Sequence, residues 1–228
     1  MMEKLVIFSG AGMSAESGIG TFRDSGGLWE QYRIEDVATP QAWASDPERV
    51  QAFYNMRRKQ IMDAEPNPAH FLIAQLEARF DVTIVTQNID DLHERAGSSN
   101  VLHLHGNIRY SKSSGPHAER AYYPIDGWEL KMTQKCLDGY PLRPHVVWFG
   151  ESVPMYETAA DILREADILI VIGTSLNVYP AAGLIHFADN ARVKYLIDPN
   201  AHEISIPGDF NVISKVAADG MAFLVAQL

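Results

Sequence analysis

The sequence has little cysteine: Cys136 is the only one in 228 residues, which excludes an internal disulfide and a multi-cysteine metal site. Basic residues are outnumbered, 19 against 29 acidic, and the net charge of -10 opposes broad contact with nucleic-acid phosphates or anionic lipid. No apolar run approaches the roughly 18 residues of a membrane span; the longest is residues 168–172 with their neighbours. Strand-like residues 5–8 come so early that no room is left for a secretory leader, so the expected setting is the cytoplasm. Internal repeats and low-complexity tracts are missing as well. What is present, 46% hydrophobic and 21% charged, is ordinary composition for a globular chain with a sizeable core.

Short runs rich in Val and Ile recur at residues 5–8, 82–85, 101–104, 146–149, 168–172, 193–197 and 212–213. They are continuous rather than alternating, as in strands covered on both faces. Helical patterns lie between several of them: 47–62, opened by Asp46-Pro47; 68–80, with Phe71, Leu72, Leu76 and Phe80 at helical spacing; 155–166; and 217–228. Such alternation predicts an α/β fold with a Rossmann-like parallel sheet. Residues 106–144 break the rhythm and are expected to form a small inserted module. The chain then reads as one domain, 1–228. Its large part takes about 1–35, 80–105 and 145–228, and its small elements about 36–79 and 106–144.

The first expected strand runs into Gly10, Ala11, Gly12 and Ser14, followed by Gly18, Gly20, Thr21, Phe22 and Arg23. A glycine-rich turn between a parallel strand and a helix brings backbone N–H groups to a pyrophosphate, although the spacing here departs from G-x-G-x-x-G and also suits an ordinary turn. Polar tips follow three further strands: Gln87, Asn88, Ile89 and Asp90; Gly173, Thr174 and Ser175; Asp198 and Asn200. Each alone fits capping, but together they converge where α/β sheets bind ligands. His103 and His105 close the run 101–104, and His105, nearer the tip, is the favoured general base.

These segments, with Leu104-His105-Gly106 and the run from Leu142-Arg143-Pro144 through Val147-Trp148-Phe149-Gly150-Glu151, resemble the sirtuins in order and over nearly the whole chain. The resemblance implies a Rossmann-like NAD domain with a small insertion and an acyl-lysine tunnel between them. It implies NAD-consuming removal of acyl groups from protein lysine, releasing nicotinamide and O-acyl-ADP-ribose. His105 takes the position of the base that activates a ribose hydroxyl. Asn88, Asp90 and Gln87 match residues around the ribose and nicotinamide, and Phe22 and Arg23 the loop closing over NAD. Gly10, Ala11, Gly12, Ser14, Gly18, Thr21, Ile89, Gly173 to Ser175, Asp198, Asn200 and Ala217 belong to the implied NAD site. Val147 to Glu151 and Ser175 to Tyr179 match two edges between which a substrate peptide would add as a strand, with Val147, Phe149, Gly150 and Val178 as the implied substrate-binding residues. The implied partners are acyl-lysine proteins or peptides, with neither nucleic acid nor membrane, and the oligomeric state is left open.

The chain departs from the family in the insertion. Most sirtuins hold a structural zinc there through two C-x-x-C pairs. Here Ser111-Lys112-Ser113-Ser114 stands in place of the first pair, and only Cys136 remains of the second. With His117 or Asp138 as helpers this is a poor zinc site, so no metal is expected. Packing among Tyr110, Tyr122, Tyr123, Ile125, Trp128, Leu130, Met132 and Leu137 is expected to hold the module instead. A mono-ADP-ribosyltransferase or an NAD-sensing module would fit a chain lacking His105 or Asn88, but both are retained. A hydride-transferring dehydrogenase would leave the Gln87–Asp90 cluster without a role.

One stripe of the helix after Asp46 carries Val50, Phe53, Tyr54, Arg57 and Ile61. Arg57 on an apolar stripe suits a snorkelling side chain, with Arg58 and Lys59 on the solvated face. The family resemblance changes that reading. In one sirtuin branch a Tyr-x-x-Arg pair at this place binds acidic acyl groups, which implies succinyl- and malonyl-lysine ahead of acetyl-lysine, with Tyr54 and Arg57 as the binding pair.

Overall fold

A computed structural model describes residues 2–21 and 32–228. In chain order the named elements are β1 (Lys4–Ser9), α1 (Gly12–Ala15), α2 (Ile34–Val37), α3 (Pro40–Ser45), α4 (Pro47–Asp63), α5 (Pro68–Leu76), β2 (Asp81–Thr86), α6 (Leu92–Arg95) and β3 (Val101–His103). Then follow β4 (Gly106–Ser113), β5 (Tyr122–Pro124), β6 (Leu142–Val146), α7 (Tyr156–Arg164), β7 (Ile168–Ile172), β8 (Val193–Ile197), β9 (Phe210–Ile213) and α8 (Ala217–Val225). Six strands form one parallel sheet in the order β3-β2-β1-β7-β8-β9, and β5-β4-β6 form a small antiparallel sheet.

The large sheet is apolar on both faces because helices cover both. Val6, Phe8, Leu169 and Val171 pack into one core cluster, while Leu5, Ile7, Ile168, Ile170 and Ile172 pack into another on the opposite face. Residues of α5 and α8 line the second cluster, and α7 the first. Helix starts follow their caps. Asp46 accepts the Arg49 N–H at 3.0 Å before Pro47, and Asn67 forms a capping box with His70 before Pro68. Among the described residues no helix is long and apolar enough to cross a membrane.

Two expectations change. Residues 146–149 are not a strand of the large sheet: β6 ends at Val146, and beyond it Val147 N–H donates to His105 O at 2.8 Å and Phe149 N–H to Ala38 O at 3.0 Å. The run is apolar because Trp148 fills a third core cluster beneath α2, α3 and α4, and not because two helical layers enclose it. Residues 106–144 contain a sheet that the sequence hides, since Ser111, Lys112 and Ser113 are buried polar residues of β4. Ser111 Oγ donates to Tyr123 O at 3.2 Å, and Lys112 Nζ meets Glu119 at 2.6 Å.

The expected packing of the module is met only in part, by Ile125, Leu130 and Tyr123. Tyr110, Tyr122, Trp128 and Leu137 are exposed, and its own core is only Ile125, Leu130, Cys136 and Leu142, with Tyr123 at the edge. Among the described residues no three His, Cys, Asp or Glu side chains converge as a metal-ligand set. Helix α4 grips the module instead. Gln51 Nε2 donates to Leu130 O at 2.7 Å, and Asn55 both donates to Leu130 O at 3.1 Å and accepts from Leu130 N–H at 2.9 Å. Arg58 is fully buried, which corrects its assignment to a solvated face. Its Nε donates to Ile108 O at 2.6 Å, and Nη1 donates to Trp128 O at 2.9 Å and to Asn55 Oδ1 at 2.7 Å. Burial, with Arg109 nearby, pulls its pKa down to about 10, which leaves it charged at neutral pH.

Arg58→Ala would strand those carbonyls without a donor and open a cavity, so a loss of about 3 kcal/mol in urea denaturation is expected. The metal content of protein purified without chelator is expected to be far below one zinc per chain. Near-stoichiometric zinc would contradict the helix-held module.

Candidate active site

The parallel strand order reverses at β1, which lies between β2 and β7, and the crevice opens beyond the C-terminal ends of these strands. It has a volume of about 490 Å³. The two glycine loops meet at its base. A Cβ on Gly10 would lie 2.6 Å from Thr174 Cβ and 2.8 Å from Gly173 O, and Gly173 itself, at φ +61, seats against the backbone of Gly12 and Met13. Side chains at these positions would push the loops apart. Gln87 Nε2 then bridges the ends of β2 and β7 by donating to Thr174 Oγ1 at 3.1 Å.

A buried polar chain lines one wall. Ser14 Oγ donates to Asp90 Oδ2 at 3.0 Å and therefore accepts from Asn88 Nδ2 at 3.1 Å, which sets the orientation of the Asn88 amide. Burial pushes the Asp90 carboxyl pKa up, against the bonds it accepts from Leu92 N–H and Ser14.

The two histidines separate by their partners. His105 lines the crevice, and its Nδ1 faces Gln87 O at 3.0 Å. A carbonyl can only accept, so Nδ1 carries the proton and Nε2 of the neutral ring keeps its lone pair. Burial lowers the His105 pKa, and the bond to Gln87 only partly opposes it, so the ring is unprotonated at neutral pH. His103 does not line the crevice. It lies between Asn88 O at 2.9 Å and Glu94 Oε1 at 2.7 Å; burial opposes its charge, but Glu94 prevails and raises its pKa. It braces the Asn88 loop.

Most residues assigned from the sequence meet in this one crevice. Gly10, Ala11, Gly12, Ser14 and Thr21 line it from the first loop, Gln87 to Asp90 from the second, and Gly173 to Ser175, Asp198, Asn200 and Ala217 from the far side. Tyr54 and Arg57 of α4, Val147, Phe149, Gly150 and Val178 line it as well. Gly18 does not: at φ +80 it is a turn residue whose carbonyl accepts from Gln60 Nε2 at 3.2 Å. Phe22 and Arg23 lie outside the described residues. Trp148 and Glu151, expected from the sequence only as part of the peptide-binding edge, also line the crevice. The tryptophan was masked by its place in an apolar run that reads as a strand.

Arg57 is 9% exposed, so it is embedded in the wall and does not reach along its stem to bulk water. Burial lowers its pKa, with Tyr54 opposing. Burial pushes the Tyr54 hydroxyl up to about 12, so it stays protonated.

The Sir2 family model matches residues 10–180. A protein of Bacteroides thetaiotaomicron named NAD-dependent protein deacylase is 50% identical over 224 residues, covering 96% of this chain and 95% of that one. One of the same name from Helicobacter pylori is 46% identical over 229 residues, covering 100% and 96%. Among solved structures, a Sir2 homologue variant bound to ADP-ribose superposes with a TM-score of 0.88 at 39% identity, covering 99% of this chain and 91% of that one. A Sir2 homologue–NAD complex gives 0.84 at 39% identity, covering 99% and 89%.

His105→Ala is expected to cut turnover by roughly 10²-fold or more with little change in thermal stability. Because the unprotonated ring is the competent form and burial lowers its pKa, activity should be level above pH 6.5 and fall only on the acid side. Wild-type turnover in the variant would remove His105 from the chemistry.

Proposed function

The chain belongs to the Sir2 family, and we propose that it is an NAD-dependent protein-lysine deacylase that prefers succinyl and malonyl groups to acetyl. The observation carrying the acidic preference is the pairing of Tyr54 and Arg57, one helical turn apart and both on the crevice wall shared with His105. A planar guanidinium matches a carboxylate with two parallel bonds, and a protonated phenol adds a donor. An acid-bearing acyl chain would offset the desolvation of Arg57, and an acetyl group would not.

The crevice suits a dinucleotide. Its loops are bare at Gly10, Gly12 and Gly173, so backbone can approach a phosphate closely, and Asn88 and Asp90 offer buried polar groups beside them. When bound, NAD supplies a ribose carbon that carries nicotinamide as its leaving group. Asn88, Asp90 and Gln87 hold the ribose and nicotinamide ends, and Asp198, Asn200 and Ala217 hold the adenosine end. His105 accepts a proton at Nε2 from a ribose hydroxyl. Val147, Phe149 and Gly150 on one side and Val178 on the other bind the peptide main chain, which makes few demands on flanking side chains. The cytoplasm is the proposed setting, where the free thiol of Cys136 stays reduced.

The deciding measurement is kcat/KM on one peptide carrying succinyl-, malonyl- or acetyl-lysine, for wild type and Arg57→Met. A charge-assisted hydrogen bond contributes about 1.5–3 kcal/mol, so the variant should lose on the order of 10- to 100-fold on the succinyl peptide and far less on the acetyl one. A wild type that prefers acetyl-lysine, or an equal loss on both, would make Arg57 structural.

A further inference from the structure

A phenol hydroxyl has one proton, and whether it donates to a ligand depends on what else meets the oxygen. Trp148 Nε1, which can only donate, lies 3.1 Å from Tyr54 Oη. Tyr54 must accept there, so its own proton is left for another acceptor. Trp148 is 3% exposed and held from two directions. The Arg143 guanidinium lies 3.7 Å from the centre of its ring, and Glu151 Oε2 accepts its backbone N–H at 2.8 Å. The same carboxylate accepts from Arg143 Nη2 at 2.8 and 3.0 Å. Carboxylate, guanidinium and indole thus form a closed ring with few alternative arrangements.

We propose that Trp148 is a specificity-determining positioning residue: its indole N–H occupies the acceptor side of the Tyr54 hydroxyl and leaves the hydroxyl proton to donate to a carboxylate on the acyl chain. Arg143 and Glu151, remote in role from the chemistry, fix the indole for this task. The inference rests on the acidic-acyl reading for the identity of the acceptor. The coupling of Trp148 to Tyr54 stands on the geometry alone. A phenylalanine at 148 would keep an aromatic ring for Arg143 to stack on, but would let the Tyr54 hydroxyl turn.

The test is a double-variant cycle with Trp148→Phe, Tyr54→Phe and both, using succinyl- and acetyl-lysine forms of one peptide, with thermal melting as the folding control. Trp148→Phe alone is expected to lower kcat/KM on the succinyl peptide about tenfold relative to the acetyl peptide, through KM more than kcat. In the Tyr54→Phe background the same change should move that ratio less than twofold. An equal effect of Trp148→Phe with and without the Tyr54 hydroxyl overturns the positioning role, whatever acyl group the wild type prefers. Strong coupling in a wild type that prefers acetyl-lysine keeps the positioning role and removes the acidic-acyl reading.

Discussion

Helix α4 carries two stripes, and the small module and the proposed acyl pocket depend on their being rigidly joined. Gln51, Asn55 and Arg58 grip backbone groups at Leu130, Trp128 and Ile108, while Tyr54, Arg57 and Ile61 line the crevice. The two sets are offset by two or three residues along one helix, so each side chain that holds the module fixes the rotation of a neighbour facing the crevice. Burying Arg58 without a carboxylate partner is costly, and carbonyl dipoles offset the charge only if their geometry is kept. The insertion is therefore tied to the crevice by hydrogen bonds from a helix. A thiolate-bound metal would have tied the insertion to itself.

The large sheet sets the other wall. Its strand order places the ends of β1, β2, β7 and β8 side by side, and the contact of Gly10 and Gly12 with Gly173 closes the floor between them. The polar groups there are arranged in a directed chain from Asn88 through Ser14 to Asp90, while His103 and Glu94 brace the same loop from behind. His105 is left facing the crevice with its acceptor nitrogen. Preorganisation of this kind would suit the proposed role of an uncharged imidazole as a base at neutral pH.

The sheet was legible because its strands are continuous runs of Val and Ile: residues 168–172 and 193–197 match the observed strands end to end. Helix α4 was legible from Asp46-Pro47 and its apolar stripe. The strand-end site was legible because glycine and short polar residues are poor choices at those positions unless something binds there. What stayed hidden depends on tertiary partners. Nothing local to Arg58 tells that two carbonyl oxygens of a distant module accept from it. The strand β4 reads as loop because its buried Ser and Lys are satisfied across the module. Trp148 reads only as part of a peptide-binding edge, since its hydrogen bond to a residue 94 positions away leaves no trace in its own segment.

The most direct test of the account is nicotinamide release from NAD by wild-type protein, followed with a succinyl-lysine peptide, the same peptide unmodified, and no peptide. Release that requires the succinyl group, and that matches the appearance of free lysine peptide one for one, is the predicted result. Release at the same slow rate in all three, with no deacylated peptide formed, would contradict it and leave a crevice that binds NAD without transferring an acyl group.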